Sequence, residues 1–251
     1  MGNIILYGII VFILGIGILV YYVQNFKEVN KHFKYGAVLM GIIFILQIIG
    51  LGIQAIFGII TFLIAIINVC IGLHLCAELK LIDLPIFKKL FCEEDYEKIN
   101  IRRYIISTAA VILGGVVFSY VLLYVTKPTV SAEFKELLNP EGSTTLRIVI
   151  YFFAVAMAEE VTFRLVIQNY VAKMFKLEGK KYWIAIVFSA FLWALAHGIP
   201  FNPGWLKFAQ IFPIGIVLGR LFRKYGLESC MLAHGGFNII MSLIGNGLIK
   251  W

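Results

Sequence analysis

Apolar residues run along this chain in unbroken stretches of about 16–25 positions, parted by short charged segments. The runs fall at about 3–23, 36–52, 54–77, 104–125, 147–172, 182–198, 207–222 and 228–249. Within each run the apolar positions are continuous rather than alternating, which favours helices over barrel strands. About 20 apolar residues at 1.5 Å each cross a ~30 Å hydrocarbon layer. Backbone groups in lipid have only one another as partners, so each run reads as a membrane helix. The expected fold is all-α, a polytopic transmembrane bundle of about eight spans in one membrane domain over 1–251. Gly50, Gly52 and Gln54 alone divide the second run from the third. No internal repeat is evident.

Composition agrees: 61% of residues are hydrophobic, against about 45–50% in a soluble domain. The net charge of +8 would suggest nucleic acid if it lay on one soluble face. Here the basic residues sit between apolar runs, so topology accounts for them and no nucleic-acid partner is expected. With the N-terminus outside, the inner segments hold Lys27, Lys31, Lys34, Lys80, Lys88, Lys89, Lys98, Arg102, Arg103, Lys173, Lys176, Lys180, Lys181, Arg220, Arg223 and Lys224. The outer segments hold Lys127, Lys135, Arg147, Lys207 and Lys250. That asymmetry predicts a multi-pass protein of the cell membrane with both termini outside. The stretch Ile4–Tyr22 lacks a basic leader and a small-x-small cleavage site, so it reads as a retained first span. Cys70, Cys76, Cys92 and Cys230 show no CxxC spacing and read as free thiols. The segment Leu79–Arg103, with LPIFKKLF and CEEDYEK, reads either as an amphipathic surface helix or as a solvated loop. Lys127–Thr144 reads as a polar connection.

The fifth run breaks the apolar pattern. YFFAVAMAEEVTFRLVIQNY places Glu159, Glu160 and Arg164 near its middle, where each charge costs roughly 2.5–3.5 kcal/mol against lipid. Glu160 and Arg164 are four residues apart, so they share a face and neutralise each other. Glu159 points about 100° away and has no basic partner on its own helix. Its carboxylate has to meet another polar group or take up a proton, and a buried carboxyl held that way suits a general base. His197 ends the sixth run, where Gly198 and Pro200 stop the helix. His234 and Asn238 share a face of the eighth, and Gly235 and Gly236 permit close helix approach there. A carboxylate, two imidazoles and a carboxamide can therefore converge from three helices. His74, near Asn68 in the third run, reads instead as a helix–helix hydrogen bonder.

Glu159-Glu160-Val-Thr-Phe-Arg164 resembles the EExxxR motif of the CPBP family, the CAAX-protease and bacteriocin-processing (Abi-type) intramembrane peptidases. The family's FxxxH corresponds to Trp193-Ala-Leu-Ala-His197, with Trp193 in place of phenylalanine, and its HxxxN to His234-Gly-Gly-Phe-Asn238. The three motifs occur in the family's order over about 145–245, and a core of 145–249 is expected; 1–125 carries no motif that matches.

The resemblance implies an intramembrane endopeptidase acting on a small peptide precursor or a membrane-associated protein. It makes Glu159 the group that activates water and His197 its assistant. His234 and Asn238 would stabilise the oxyanion, while Glu160, Arg164 and Trp193 support the site. Amide hydrolysis needs such a base, a positioned water and donors aimed at the carbonyl oxygen. No covalent nucleophile is needed, since Ser189, Ser242 and Cys230 have no activating neighbour in sequence. No cofactor is favoured. A zinc ion would draw on Glu159, His197 and His234, but HExxH is absent and Glu159 would then serve as both ligand and base. Two other classes stay open: a silent scaffold or immunity protein of the same fold that binds a peptide or membrane partner, and a proton-coupled transporter. The substrate and the oligomeric state are not written in these motifs.

Overall fold

A computed structural model describes residues 2–51, 59–91, 99–130, 145–198 and 200–244. The apolar runs become helices: α1 Gly2–Gln24, α2 Phe26–Asn30, α3 Phe33–Leu51, α4 Ile59–Glu78, α5 Pro85–Leu90 and α6 Ile101–Thr126. Next comes one continuous helical rod made of α7 Thr145–Glu160, a π-helical segment Val161–Gln168, and α8 Asn169–Met174. A 3-10 turn at Gly179–Lys181 leads into α9 Tyr182–Ala196, then α10 Leu206–Tyr225 and α11 Leu227–Ile244. Among the described residues, each apolar run contains a helix or part of the continuous rod. Among the described residues, four helical stretches are long and apolar enough to cross a membrane on length and composition: Ile5–Gln24, Phe33–Gly50, Ile101–Thr126 and Leu227–Ile244. The protein is an all-α multi-pass membrane protein.

The division between the second and third runs falls beside residues 52–58, outside the described part. The helices on either side do pack antiparallel. Gly36 lies against Ile66 and Cys70, and eight residues further along α3, Phe44 stacks on Phe62 at 4.8 Å. CEEDYEK and Cys92 lie outside the described residues, as do 131–144 of the polar connection. Cys70, Cys76 and Cys230 are free and buried. The beginning of that connection has structure the pattern did not show: Thr129–Val130 forms β1, which pairs antiparallel with β2, Phe201–Asn202.

The core lies around the rod. α3 and α4 pack on one side of it, and α9, α10 and α11 on the other. Small residues set the spacing: Gly72 of α4 leaves room for Leu165, Gly215 of α10 for Trp193 and Ala190, and Gly235 of α11 for Phe153. α1 and α6 lie outermost, with Phe12, Ile13, Leu113 and Val117 more than half exposed, as helices facing lipid are.

The segment after α4 is neither a free loop nor a freely floating surface helix. Asp83 accepts the Leu227 N–H through its carbonyl at 2.7 Å. The Glu228 carboxylate accepts the Ile86 and Phe87 N–H groups at 3.0 and 2.6 Å. A helix N-terminus has orphan donors and a positive dipole end, so a carboxylate placed there pins α5 against the α10–α11 turn. Gly226 makes that turn with φ +83°, and a Cβ there would lie 2.4 Å from the Asp83 carbonyl oxygen.

Candidate active site

The π-helical segment begins one residue after Glu160. A π stretch inserts residues into a helix and reorients the side chains around it, and such insertions recur at functional sites. Ser189 of α9 donates its hydroxyl to the Phe163 carbonyl at 2.6 Å, a partner from outside the helix ladder. Glu160 and Arg164 pair as their spacing predicts, with Nε 3.3 Å from Oε2 and both side chains fully buried. The Arg164 guanidinium lies 4.4 Å from the Trp193 ring centroid, and its Nη2 faces the Gly215 carbonyl at 3.5 Å. Glu160 presents its other oxygen, Oε1, to His234 Nδ1 at 2.8 Å. One carboxylate thus holds an arginine of its own helix and a histidine of α11.

Glu159 faces the opposite wall of this cluster. Trp193 Nε1–H donates to its Oε2 at 2.8 Å. The same oxygen lies 3.8 Å from His197 Nε2 and 3.9 Å from His234 Nε2. Both imidazoles stand edge-on to the Trp193 indole, with centroids 5.0 and 5.1 Å away. The remaining ring nitrogens are occupied. His197 Nδ1 lies 2.9 Å from the Trp193 carbonyl and carries the proton given to it, so Nε2 is the free acceptor. His234 gives its Nδ1–H to Glu160 in the same way. Glu159 is about a quarter exposed, while His234 is buried.

The apolar runs, counted from their charged ends, place Glu159 and His197 far higher in the bundle than His234. Local structure removes the mismatch. Gln168 Nε2 bonds both Tyr182 at the start of α9 and the Gly219 carbonyl of α10, so the rod extends past the level at which α9 begins. The π segment also climbs less per residue than an α-helix, which lowers Glu159 further. α7 and α9 run in opposite directions, and helical side chains lean toward their own N-terminus, so Glu159 and Trp193 lean toward each other.

Asn238 stands one turn beyond His234 and donates to the Phe152 carbonyl at 3.4 Å. Ser189, Cys230 and Ser242 all direct their hydrogens to backbone carbonyls. His74 lies among Tyr21 and His32 rings at 6.1 and 6.2 Å, away from Glu159. Two features of the site escaped the sequence. Trp193 is a hydrogen-bond donor to Glu159 as well as a packing residue. Lys207, counted among outer loop charges, sits in the first turn of α10, half-buried. It bonds Gln210 Oε1 at 3.3 Å and interacts electrostatically with Glu159 and His197. Its signal was a lone lysine at the start of an apolar run.

A metal ion at this site would draw on Glu159, His197 and His234. Among the described residues, no group of three or more His, Cys, Asp or Glu side chains is arranged to hold one. The Glu159 oxygen that faces both imidazoles also accepts the indole N–H, and the carboxylate keeps lone pairs beyond that bond.

The fold and this site define a polytopic helical membrane protein with a partly exposed Glu–His–His cluster between helices. The family model described as Type II CAAX prenyl endopeptidase Rce1-like matches residues 141–240 of this chain. The chain is also similar to the sporulation-killing factor biosynthesis protein SkfC of Bacillus subtilis (strain 168), with 31% identity over 87 residues. The similarity covers 34% of this chain and 17% of that relative's length. No solved structure matches.

Proposed function

We propose that the protein is an intramembrane endopeptidase that hydrolyses a peptide bond in a small precursor or membrane-associated protein, using water activated by Glu159 without a metal. The observation that carries this reading is the Glu159 carboxylate oxygen, held by Trp193 at 2.8 Å and faced by two imidazole nitrogens at 3.8 and 3.9 Å. Glu159 Oε2 and His197 Nε2 are two acceptors spaced so that one water can donate a hydrogen to each. Both hydrogens are then engaged, and the water's lone pair is left for the substrate carbonyl carbon. As the O–C bond forms, Glu159 takes the proton and the carbonyl electron pair moves onto oxygen. His234 Nε2–H, when the ring carries its second proton, and the Asn238 amide are the donors for that oxyanion. The C–N bond then breaks, and Glu159 returns the proton to the leaving amine. Glu160 and Arg164 act through His234 and Trp193, which they position.

The family description supports an endopeptidase. The relative's printed role in biosynthesis favours maturation of a precursor over general turnover. The test is purified protein in lipid nanodiscs with candidate peptide precursors, cleavage being read by mass spectrometry. Cleavage is expected, at a rate that a strong zinc chelator leaves unchanged. Loss of cleavage on chelation, with recovery on adding zinc, would overturn the metal-independent mechanism. Failure with prenylated and unprenylated precursors alike would overturn the endopeptidase reading.

A further inference from the structure

At the end of the bundle away from Glu159, the last turns of α10 carry Arg220, Arg223 and Lys224. Their spacing of three and four residues puts all three on one face. Together with Trp183 and Ile186 from the start of α9 they line a cleft of ≈ 400 Å³. Arg220 lies over the Trp183 ring at 5.8 Å, and Arg223 over the Tyr182 ring at 4.6 Å. Aromatic faces orient the guanidinium groups but do not neutralise them. Among the described residues, every ion pair involves other cations, so none of these three is matched to a carboxylate. The neighbouring segment adds exposed Lys176, Lys180 and Lys181 against a single acid, Glu178. Three crowded cations around a cleft repel one another and attract an anion.

The surface leading away from the cleft is apolar. On α9, Trp183, Val187 and Phe191 follow at four-residue steps, all about 40% exposed, with Ile184 beside them at 58%. On α10, Pro213 and Val217 continue the line of Arg220 and Lys224. Eight residues of helix make a strip of about 12 Å, most of the depth of one leaflet of a ~30 Å hydrocarbon core. A soluble anion would account for the cations but not for the strip.

We propose that this cleft binds the phosphodiester headgroup of an anionic glycerophospholipid, whose acyl chains lie along the exposed strip of α9 and α10. The arginines give planar, multidentate donors to the phosphate, and Trp183 stands where the aromatic belt of a membrane protein stands. The excess of cations favours a headgroup with net negative charge over a zwitterionic one.

The test uses the full chain in detergent micelles. Phosphatidylglycerol, phosphatidylcholine or inorganic phosphate is added, bound lipid is counted by native mass spectrometry, and the unfolding temperature is followed. The wild type is expected to retain phosphatidylglycerol about tenfold over phosphatidylcholine and to unfold several degrees higher with it. R220Q/R223Q/K224Q is expected to lose both effects. R220Q/K224Q, which changes only exposed side chains and leaves Tyr182 packed, is expected to reduce the preference severalfold and carries the test if the triple variant does not fold. K27Q/K80Q/K89Q, with the same charge removed elsewhere, is expected to keep it. Equal retention of the two lipids by the wild type, an equal shift from inorganic phosphate, or an equal loss in the K27Q/K80Q/K89Q control would each overturn the proposal.

Discussion

Two buried polar clusters sit on the same rod, less than three turns apart, and they differ in what their hydrogen-bonding atoms face. The lower one is neutral, and its donors are engaged. Gln168 donates to the Tyr182 hydroxyl and the Gly219 carbonyl, Tyr182 donates to Asn169 Oδ1 at 2.5 Å, and Asn169 donates to Cys76 Sγ and the Leu165 carbonyl. It ties α4, the rod, α9 and α10 together, and all of its named donors end on protein atoms. The upper one is charged and open. Glu160 and Arg164 are fully buried, but Glu159 is partly exposed and its oxygen faces imidazole nitrogens across gaps too long for hydrogen bonds. A neutral network with its donors engaged rigidifies a bundle, whereas a partly exposed charged group with acceptor capacity left over is suited to a substrate or a water. Under the proposed function the lower cluster supplies stability and Glu159 the chemistry, with Glu160 and Arg164 between them serving both.

Glu159→Gln gives the sharpest break. It keeps the size and can still accept from Trp193, but it removes the base. General-base catalysis contributes about 10²–10⁴ in rate, so cleavage is expected to fall by that factor while the unfolding temperature stays at the wild-type value. Normal processing by this variant would end the hydrolytic reading of the upper cluster.

Arg164→Met comes next. It leaves Glu160 buried with a charge and only His234 to answer it, and breaking one partner of a buried pair costs about 3–5 kcal/mol. Protein abundance and the unfolding temperature are both expected to drop, with activity falling alongside them. A variant as stable as the wild type would show that the pair is not what holds the rod to α10 and α11.

Trp193→Phe separates positioning from packing. The phenyl ring keeps the face beneath Arg164 and loses only the N–H to Glu159. A hydrogen bond to a charged group is worth about 1.5–3 kcal/mol, so activity is expected to fall about ten- to a hundredfold at nearly wild-type stability. An unchanged rate would mean that the indole N–H does not orient the base.

These contrasts also show which parts of the molecule could be read before its structure. The Glu160–Arg164 pair was legible because a four-residue spacing fixes a shared face on almost any helix, and a π segment still brought the two together. His197, His234 and Glu159 stood out because ionisable groups in apolar runs have to find one another. The helix-stopping Gly198 and the close-approach glycines of α11 were legible for similar local reasons. The π register itself left no trace, because the four-residue spacing of Glu160 and Arg164 suits an α-turn and a wider turn alike. Lys207 was read only as an outer charge because positive-inside counting asks on which side a lysine lies and not which side chains it faces, here Glu159 and His197. Trp193 was read by its ring alone, since the direction of an indole N–H depends on a rotamer and on a partner helix. The lower cluster passed unseen because Gln168, Asn169 and Tyr182 carry no charge, so nothing about their burial looked costly.

The smallest expected effect tests that neglected cluster. Tyr182→Phe removes one hydroxyl that donates to Asn169 Oδ1 and accepts from Gln168. Gln168 keeps its bond to the Gly219 carbonyl and Asn169 Nδ2 keeps both of its acceptors, so one buried oxygen loses its donor and one Gln168 N–H loses its acceptor. The expected loss is about 1–2 kcal/mol of stability, seen as a modest drop in unfolding temperature. Cleavage per folded molecule should stay unchanged, because Glu159 and its partners lie at the other end of the π segment. If activity fell while stability held, the two clusters would be one coupled unit. The π segment would then transmit the position of α9 to the base, rather than merely separating a staple from a site.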